Sequence, residues 1–399
     1  MSRVAMRDWR SVDLWDRAVL CLLIPLILLA SPSAAQKMLT WDQRDEAARL
    51  TQMVDAVADG GYAGGDAWLK WSHHLLRGED GSVYIPFSVV VDEAPDAFQT
   101  ASVYVRVAQH GENSRAGRER MRRRRLTGFG PGEVPINVPE RDFVPRGTPV
   151  AAENAAMLRL AHPEGIDEAT YPFEDVHFID LGGTNDSAPY TIRRSLTVEP
   201  GDYDVYVAIR EAALDGSARP DAKSALLKRR LHVPAFDLDR LQLSSVIVAD
   251  AIEPLAAPLS ATEQLGRPYA LGGAEITPVR DTIFDSRDNL SLVFFMYNLL
   301  TDSRGRPNVS VRYTFYSLTM GRVEPFRSTA PQDFNIETLP DEFDLRAVGA
   351  QLPTSQGVPL QSFPEGTYTL QIQVIDHLAD ASLVEDVSFV VMDRSGAEP

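Results

Sequence analysis

Two stretches decide how this chain folds. The first is Pro200-Gly201-Asp202-Tyr203-Asp204-Val205-Tyr206-Val207-Ala208-Ile209. The second is Pro364-Glu365-Gly366-Thr367-Tyr368-Thr369-Leu370-Gln371-Ile372-Gln373-Val374. Each opens on a Pro/Gly turn and places a Tyr. Each then carries apolar residues at every second position, the period of a strand with one buried face. Acidic Glu211 and Asp376 end the two runs. A further strand pattern follows each, with Leu227, Leu231 and Val233 in one and Leu383, Val387, Phe389 and Val391 in the other. The same grammar closing two blocks marks two copies of one architecture.

Outward from these stretches the period of two continues. In the first block it predicts strands over 83–91, 100–108, 176–181, 192–198, 203–209 and 227–233. Leu69, Trp71, His73 and Leu75 alternate ahead of the Asp80-Gly81 turn, with a helix over 66–76 as the competing reading. In the second block strands are expected over 241–250, 269–278, 290–299, 309–318, 367–376 and 383–392. Pro234-Ala235-Phe236-Asp237 reads as the linker. Two long excursions interrupt the pattern, 110–175 and a proline-dotted connection at 324–364. A short helix over 150–161 follows Thr148-Pro149.

The N-terminus reads as an address. Arg3, Arg7, Arg10 and Arg17 precede an apolar run from Ala18 to Ala30 that contains Pro25. The run is shorter than the roughly 20 residues a spanning helix needs. Ser33 and Ala35 then supply the small residues of a secretory signal, with cleavage before Gln36. Leu20 ahead of Cys21 is too large for a lipoprotein site. Removing 1–35 takes away the chain's one Cys and leaves 35 basic and 53 acidic side chains. The mature chain therefore has no disulfide, thiolate metal site or thiol nucleophile. Residues 40–58 read as a helix, with Thr40 and Gln43 at capping-box spacing. Leu50, Met53, Val54 and Val57 form its apolar stripe, which requires docking on the following domain.

A Tyr just after a Pro/Gly turn has a specific physical use. Where a chain crosses between sheets, backbone groups lose their ladder partners. A Tyr can bury its ring there while its hydroxyl bonds the local backbone. Tyr203 and Tyr368 resemble the tyrosine corners of immunoglobulin-like and fibronectin type III-like sandwiches in exported bacterial proteins. The resemblance covers the final hairpin of each block, and the Cys…Trp…Cys feature of true immunoglobulin domains is absent. It implies an all-β chain of two tandem antiparallel sandwiches behind an N-terminal helical segment. The implied divisions are 1–35 signal, 36–65 helical segment, 66–235 first sandwich with its insertion, and 240–394 second sandwich.

Chemistry-bearing motifs are absent from the sequence. The seven histidines (His73, His74, His110, His162, His177, His232 and His377) include no H-E-x-x-H pattern. Adjacent His73 and His74 point to opposite faces of a strand. There is no G-x-S-x-G elbow and no phosphate-binding loop. Asn185 and Asp186 follow a strand, yet no second oxygen ligand for Ca²⁺ is placed by spacing. No catalytic residue, metal ligand or cofactor is assigned. The sharpest oddity is a basic run of Arg115, Arg118, Arg120, Arg122, Arg123, Arg124 and Arg125. Export and a net charge of −17 argue against nucleic acid as its target. An anionic envelope surface or an acidic partner is the functional reading, and pairing with the chain's own carboxylates is the plain one.

The expectation is an exported, non-catalytic interaction or structural protein of the bacterial periplasm or cell surface, with no membrane span after cleavage. Its partner would be a protein or envelope polysaccharide, bound through sandwich loops or edge strands. The rivals are a secreted hydrolase of envelope or extracellular polymers, built on the two excursions, and a carbohydrate-binding module displaying Trp68 and Trp71.

Overall fold

The computed structural model describes residues 41–61, 69–79, 81–91, 100–111, 171–180, 190–212, 222–236, 239–319 and 321–392. The Arg115–Arg125 run, the signal segment, Thr40, Trp68, His162, Asn185, Asp186 and the 150–161 helix lie outside them. The described chain is mainly β and divides between Phe236 and Asp237 into two compact units. No described helix is long and apolar enough to cross a membrane.

The first unit begins with α1 (Trp41–Ala58), then β1 (Leu69–His73), β2 (Leu76–Arg77), β3 (Val83–Val91), β4 (Thr100–Gln109), β5 (Phe173–Asp180), β6 (Tyr190–Val198), β7 (Gly201–Glu211) and β8 (Ser224–Val233). The described part of 66–76 is thus extended. Leu69–His73 pairs in register with the valine-rich end of β3, and that pairing overrides a single helix-capping Asp. One sheet places β3 between β6 and the β1/β2 edge, and the other runs β5-β4-β7-β8. Both faces of β4 and β7 are buried. Helix α1 explains one of them. Ala47, Leu50 and Val54 pack on Tyr104, Val176, Tyr206, Ala208 and Leu226 of the outer face.

The second unit contains β9 (Gln242–Leu243), β10 (Ile247–Pro254), α2 (Ala261–Gly266), β11 (Ala270–Leu271), β12 (Ala274–Pro278), β13 (Ile283–Asp285), β14 (Asn289–Tyr297), β15 (Val309–Thr319), β16 (Arg322–Ser328), β17 (Gln332–Phe334), β18 (Gln351–Pro359), β19 (Gly366–Asp376) and β20 (Ala381–Met392). One sheet runs β11-β12-β10-β14-β18, the other β13-β20-β19-β15-β16. Leu292, Phe294 and Met296 of the first sheet share a core with Val311, Tyr313, Ile372 and Phe389 of the second. The two layers therefore face each other across buried apolar side chains. Among the described residues all strand pairings are antiparallel except β13 with β20.

The 324–364 stretch corrects the expectation of a strandless connection. It holds the end of β16, then β17 and the nine-residue β18, the last paired along its whole length with β14. Pro353 and Pro359 lack the N–H a central strand needs, but β18 is an edge strand and tolerates them. Helix α2 was also unforeseen. Ser260 and Glu263 form a reciprocal capping box, a signal visible in the sequence.

The two units repeat one strand order. The seven principal strands are β1, β3, β4, β5, β6, β7 and β8 in one unit. They are β10, β14, β15, β16, β18, β19 and β20 in the other. In each, the first, second and fifth share a sheet, and the rest pair as fourth-third-sixth-seventh.

Candidate functional site

Tyr203 and Tyr368 occupy matching positions near the start of β7 and β19. Each ring is buried. Each hydroxyl donates to a main-chain carbonyl four residues upstream at 2.7 Å, Glu199 for Tyr203 and Pro364 for Tyr368. Burial raises both phenols above their ordinary range, so both are held as donors. Eight residues beyond Tyr368, the fully buried Asp376 accepts N–H groups from Leu300, Leu378 and Ala379. Its carboxylate ties the β14–β15 and β19–β20 connections together.

A second polar assembly clamps α1. Arg210 donates to both Glu46 carboxylate oxygens at 2.5–2.6 Å, and both side chains are buried. Arg106, 2 % exposed, meets Asp55 at 2.5 Å, donates to the Tyr104 hydroxyl at 2.7 Å and lies 4.2 Å from the Tyr171 ring centre. Glu46 and Asp55 are nine residues apart on the helix, so the two clamps sit about 13 Å apart along it. Burial holds the Tyr104 hydroxyl protonated well above its usual range. Every charge here is spent on attachment rather than aimed at an opening.

The described histidines disperse. Trp71 donates its ring N–H to His73 at 3.1 Å and stacks on Phe87. It is half-buried, with one ring face taken up by this stacking. Burial lowers His73, and burial followed by its His73 neighbour lowers His74 to about 4. His110 pairs with Asp204 and His232 with Asp202, each at 3.0 Å. His177 meets Asp175 and the Arg194 guanidinium near the β5–β6 edges. Among the described residues no group of three His, Cys, Asp or Glu side chains could hold a metal ion.

A serine–histidine contact escaped motif reading, because its members are 67 residues apart. Ser310 Oγ lies 2.8 Å from His377 Nε2 and 2.6 Å from Asp333 Oδ1. The order is unlike a hydrolytic triad, where the acid holds the histidine and not the serine. Ser310 also sits inside the ladder between β17 and β19, which occupies the neighbouring backbone donors.

The outer face of the β13-β20-β19-β15-β16 sheet is open. β15 presents Ser310, Arg312, Thr314, Tyr316 and Leu318 there, with Asp333 of β17 beside Ser310, and β19 presents Thr367, Thr369, Gln371, Gln373 and Ile375. β20 adds Ser382, Val384, Asp386, Ser388 and Val390. Of these only Arg312, Asp333 and Asp386 are charged, in a chain with 24 % charged residues. One register row crosses all five strands as Val323, Leu318, Thr367, Val390 and Ile283. Val323 is 65 %, Leu318 49 % and Ile283 40 % exposed. Flat, sparsely charged surface with exposed apolar chains is what protein contacts use. The signal was legible as the sparsely charged alternate positions of β15 and β19.

No family model matches this chain, and no curated protein matches it. Among solved structures, native E. coli alpha-2-macroglobulin aligns with 9 % identity and a TM-score of 0.19. That alignment covers 84 % of this chain, which spans 17 % of the other's length. A superposition that loose says nothing of this chain's role.

Proposed function

We propose that this is an exported, non-catalytic interaction or structural protein of the bacterial periplasm or cell surface. It would be built from two tandem immunoglobulin-like or fibronectin type III-like sandwiches, 66–235 and 240–394, behind a helical segment and a cleaved signal. The shared strand order and the paired tyrosine corners support the tandem reading. The short parallel strand β13, joining β20 after the chain has left the other sheet, fits a strand that switches layers at a sandwich edge. The observation that carries the functional reading is the open outer face of the β13-β20-β19-β15-β16 sheet. Rigid layers present such a face, with the loops and edge strands around it, to a protein or envelope polysaccharide.

The hydrolase reading, placed on the 110–175 and 324–364 excursions, has beside it the Ser310–His377 contact. One experiment separates the two. The mature full chain is sedimented with purified envelope polysaccharide and, in parallel, incubated with chromogenic ester and glycoside substrates. Salt-sensitive co-sedimentation without turnover supports the binding role. Turnover lost in Ser310→Ala replaces it with the hydrolase. Export is checked by sequencing the N-terminus of the secreted product, expected at Gln36.

A further inference from the structure

We infer that the open face of the β13-β20-β19-β15-β16 sheet pairs with the same face of a second copy of this chain, about a two-fold axis running along β19. This rests on the interaction role proposed above and names its partner. The pattern of the face is self-complementary under that rotation. A half-turn about β19 exchanges the β15 side with the β20 side. It sets Leu318 over Val390 of the second copy, and Val323 over Ile283, while Thr367 meets itself on the axis. The exposed apolar row is thereby covered end to end.

Arg312 and Asp386 obey the same symmetry. Arg312 lies in the row of Gln373 and Val384, and Asp386 in the adjacent row of Gln371 and Thr314. They have opposite sign and flank the axis. Each therefore comes within one row, about 7 Å along the strand, of its complement in the second copy. An arginine side chain spans that distance. A chain of net charge −17 self-associates most readily through a surface where its own charge is sparse. Five strands at about 4.8 Å and eight residues of rise give roughly 500 Å² per copy, or about 1,000 Å² in total. That is the lower end for a specific contact, so the dimer is a weak, concentration-dependent one.

The test is sedimentation equilibrium of the full chain from low to high micromolar concentration. Each variant's fold is checked by its thermal melt. The parent is expected to pass from monomer to dimer. Leu318→Glu buries two like charges in the row, and at least a tenfold weakening is expected. Arg312→Asp should also weaken the dimer, and adding Asp386→Arg should restore it, because the swap re-pairs the charges across the axis. A parent that stays monomeric, or a dimer indifferent to these exposed substitutions, overturns the inference. A monomer that still co-sediments with envelope polysaccharide removes the dimer and leaves the proposed role standing.

Discussion

At the scale of single residues, the two tyrosines do one job twice. A neutral hydroxyl-to-carbonyl bond contributes about 1 kcal/mol net, more where the carbonyl would otherwise be buried unpaired. Tyr203→Phe and Tyr368→Phe should each lower stability by about 1–2 kcal/mol in urea titrations. Amide exchange should rise in β7 and β8 for the first and in β19 and β20 for the second. Unchanged exchange in both hairpins would remove the corner assignment. Asp376→Ala strands three N–H groups at once and should lose about 2–4 kcal/mol. His74 carries a pH signature. Its folded pKa, about 4, lies below the roughly 6.5 of an unfolded histidine, so between those values the unfolded chain holds the extra proton. Stability should be intact above pH 7 and fall as pH drops from about 6.5 toward 4. Allowing for partial exposure, the loss is about 1–2 kcal/mol. His74→Gln should flatten that slope in melts taken across the pH series.

At the scale of elements, helix α1 and its sheet explain why one unit is capped and the other open. Aligning Tyr203 with Tyr368 through their registers matches Tyr104, Ala208 and Leu226 with Arg312, Gln373 and Val384. The first set is apolar and must be covered. The second tolerates water. The Glu46–Arg210 clamp is a buried ion pair, so its geometry matters more than its net contribution. Arg210→Ala leaves the Glu46 carboxylate buried and unpaired and should cost about 3–5 kcal/mol. Replacing both with Glu46→Leu and Arg210→Met should recover most of that loss in the same urea assay. A double variant no better than the single would mean the pair contributes more than attachment. The α1 stripe was legible in sequence through Leu50 and Val54, but its receptor was not. Tyr104 and Arg106 lie on the face of β4 that a two-residue alternation assigns to solvent.

At the scale of the whole molecule, charge sets solution behaviour. A net charge of −17 and a pI near 4.9 keep copies apart at neutral pH and let them meet as carboxylates protonate. A solubility minimum is expected near pH 5 by turbidity, and redissolution above pH 7. Solubility indifferent to pH across that range would show that the exposed apolar row, and not charge, governs association. The two compact units carry separate cores, and that of 237–392 draws on both its sheets.

Period-two alternation needs only the chain itself, because each side chain's face follows from backbone geometry. It was enough to read a β-rich protein, the repeated Pro/Gly–Tyr grammar and most strand positions, while the 3.6-residue period gave the stripe of the N-terminal helix. The β18 strand was missed because prolines speak against strands until an edge position is known to excuse them. The Arg106 and Arg210 clamps, the Asp376 knot, the Ser310–His377 contact and the row from Val323 to Ile283 join residues from distant parts of the chain. Only strand order and register bring such residues together. Register is set by the sum of many long-range pairings, and no local window of sequence contains that sum.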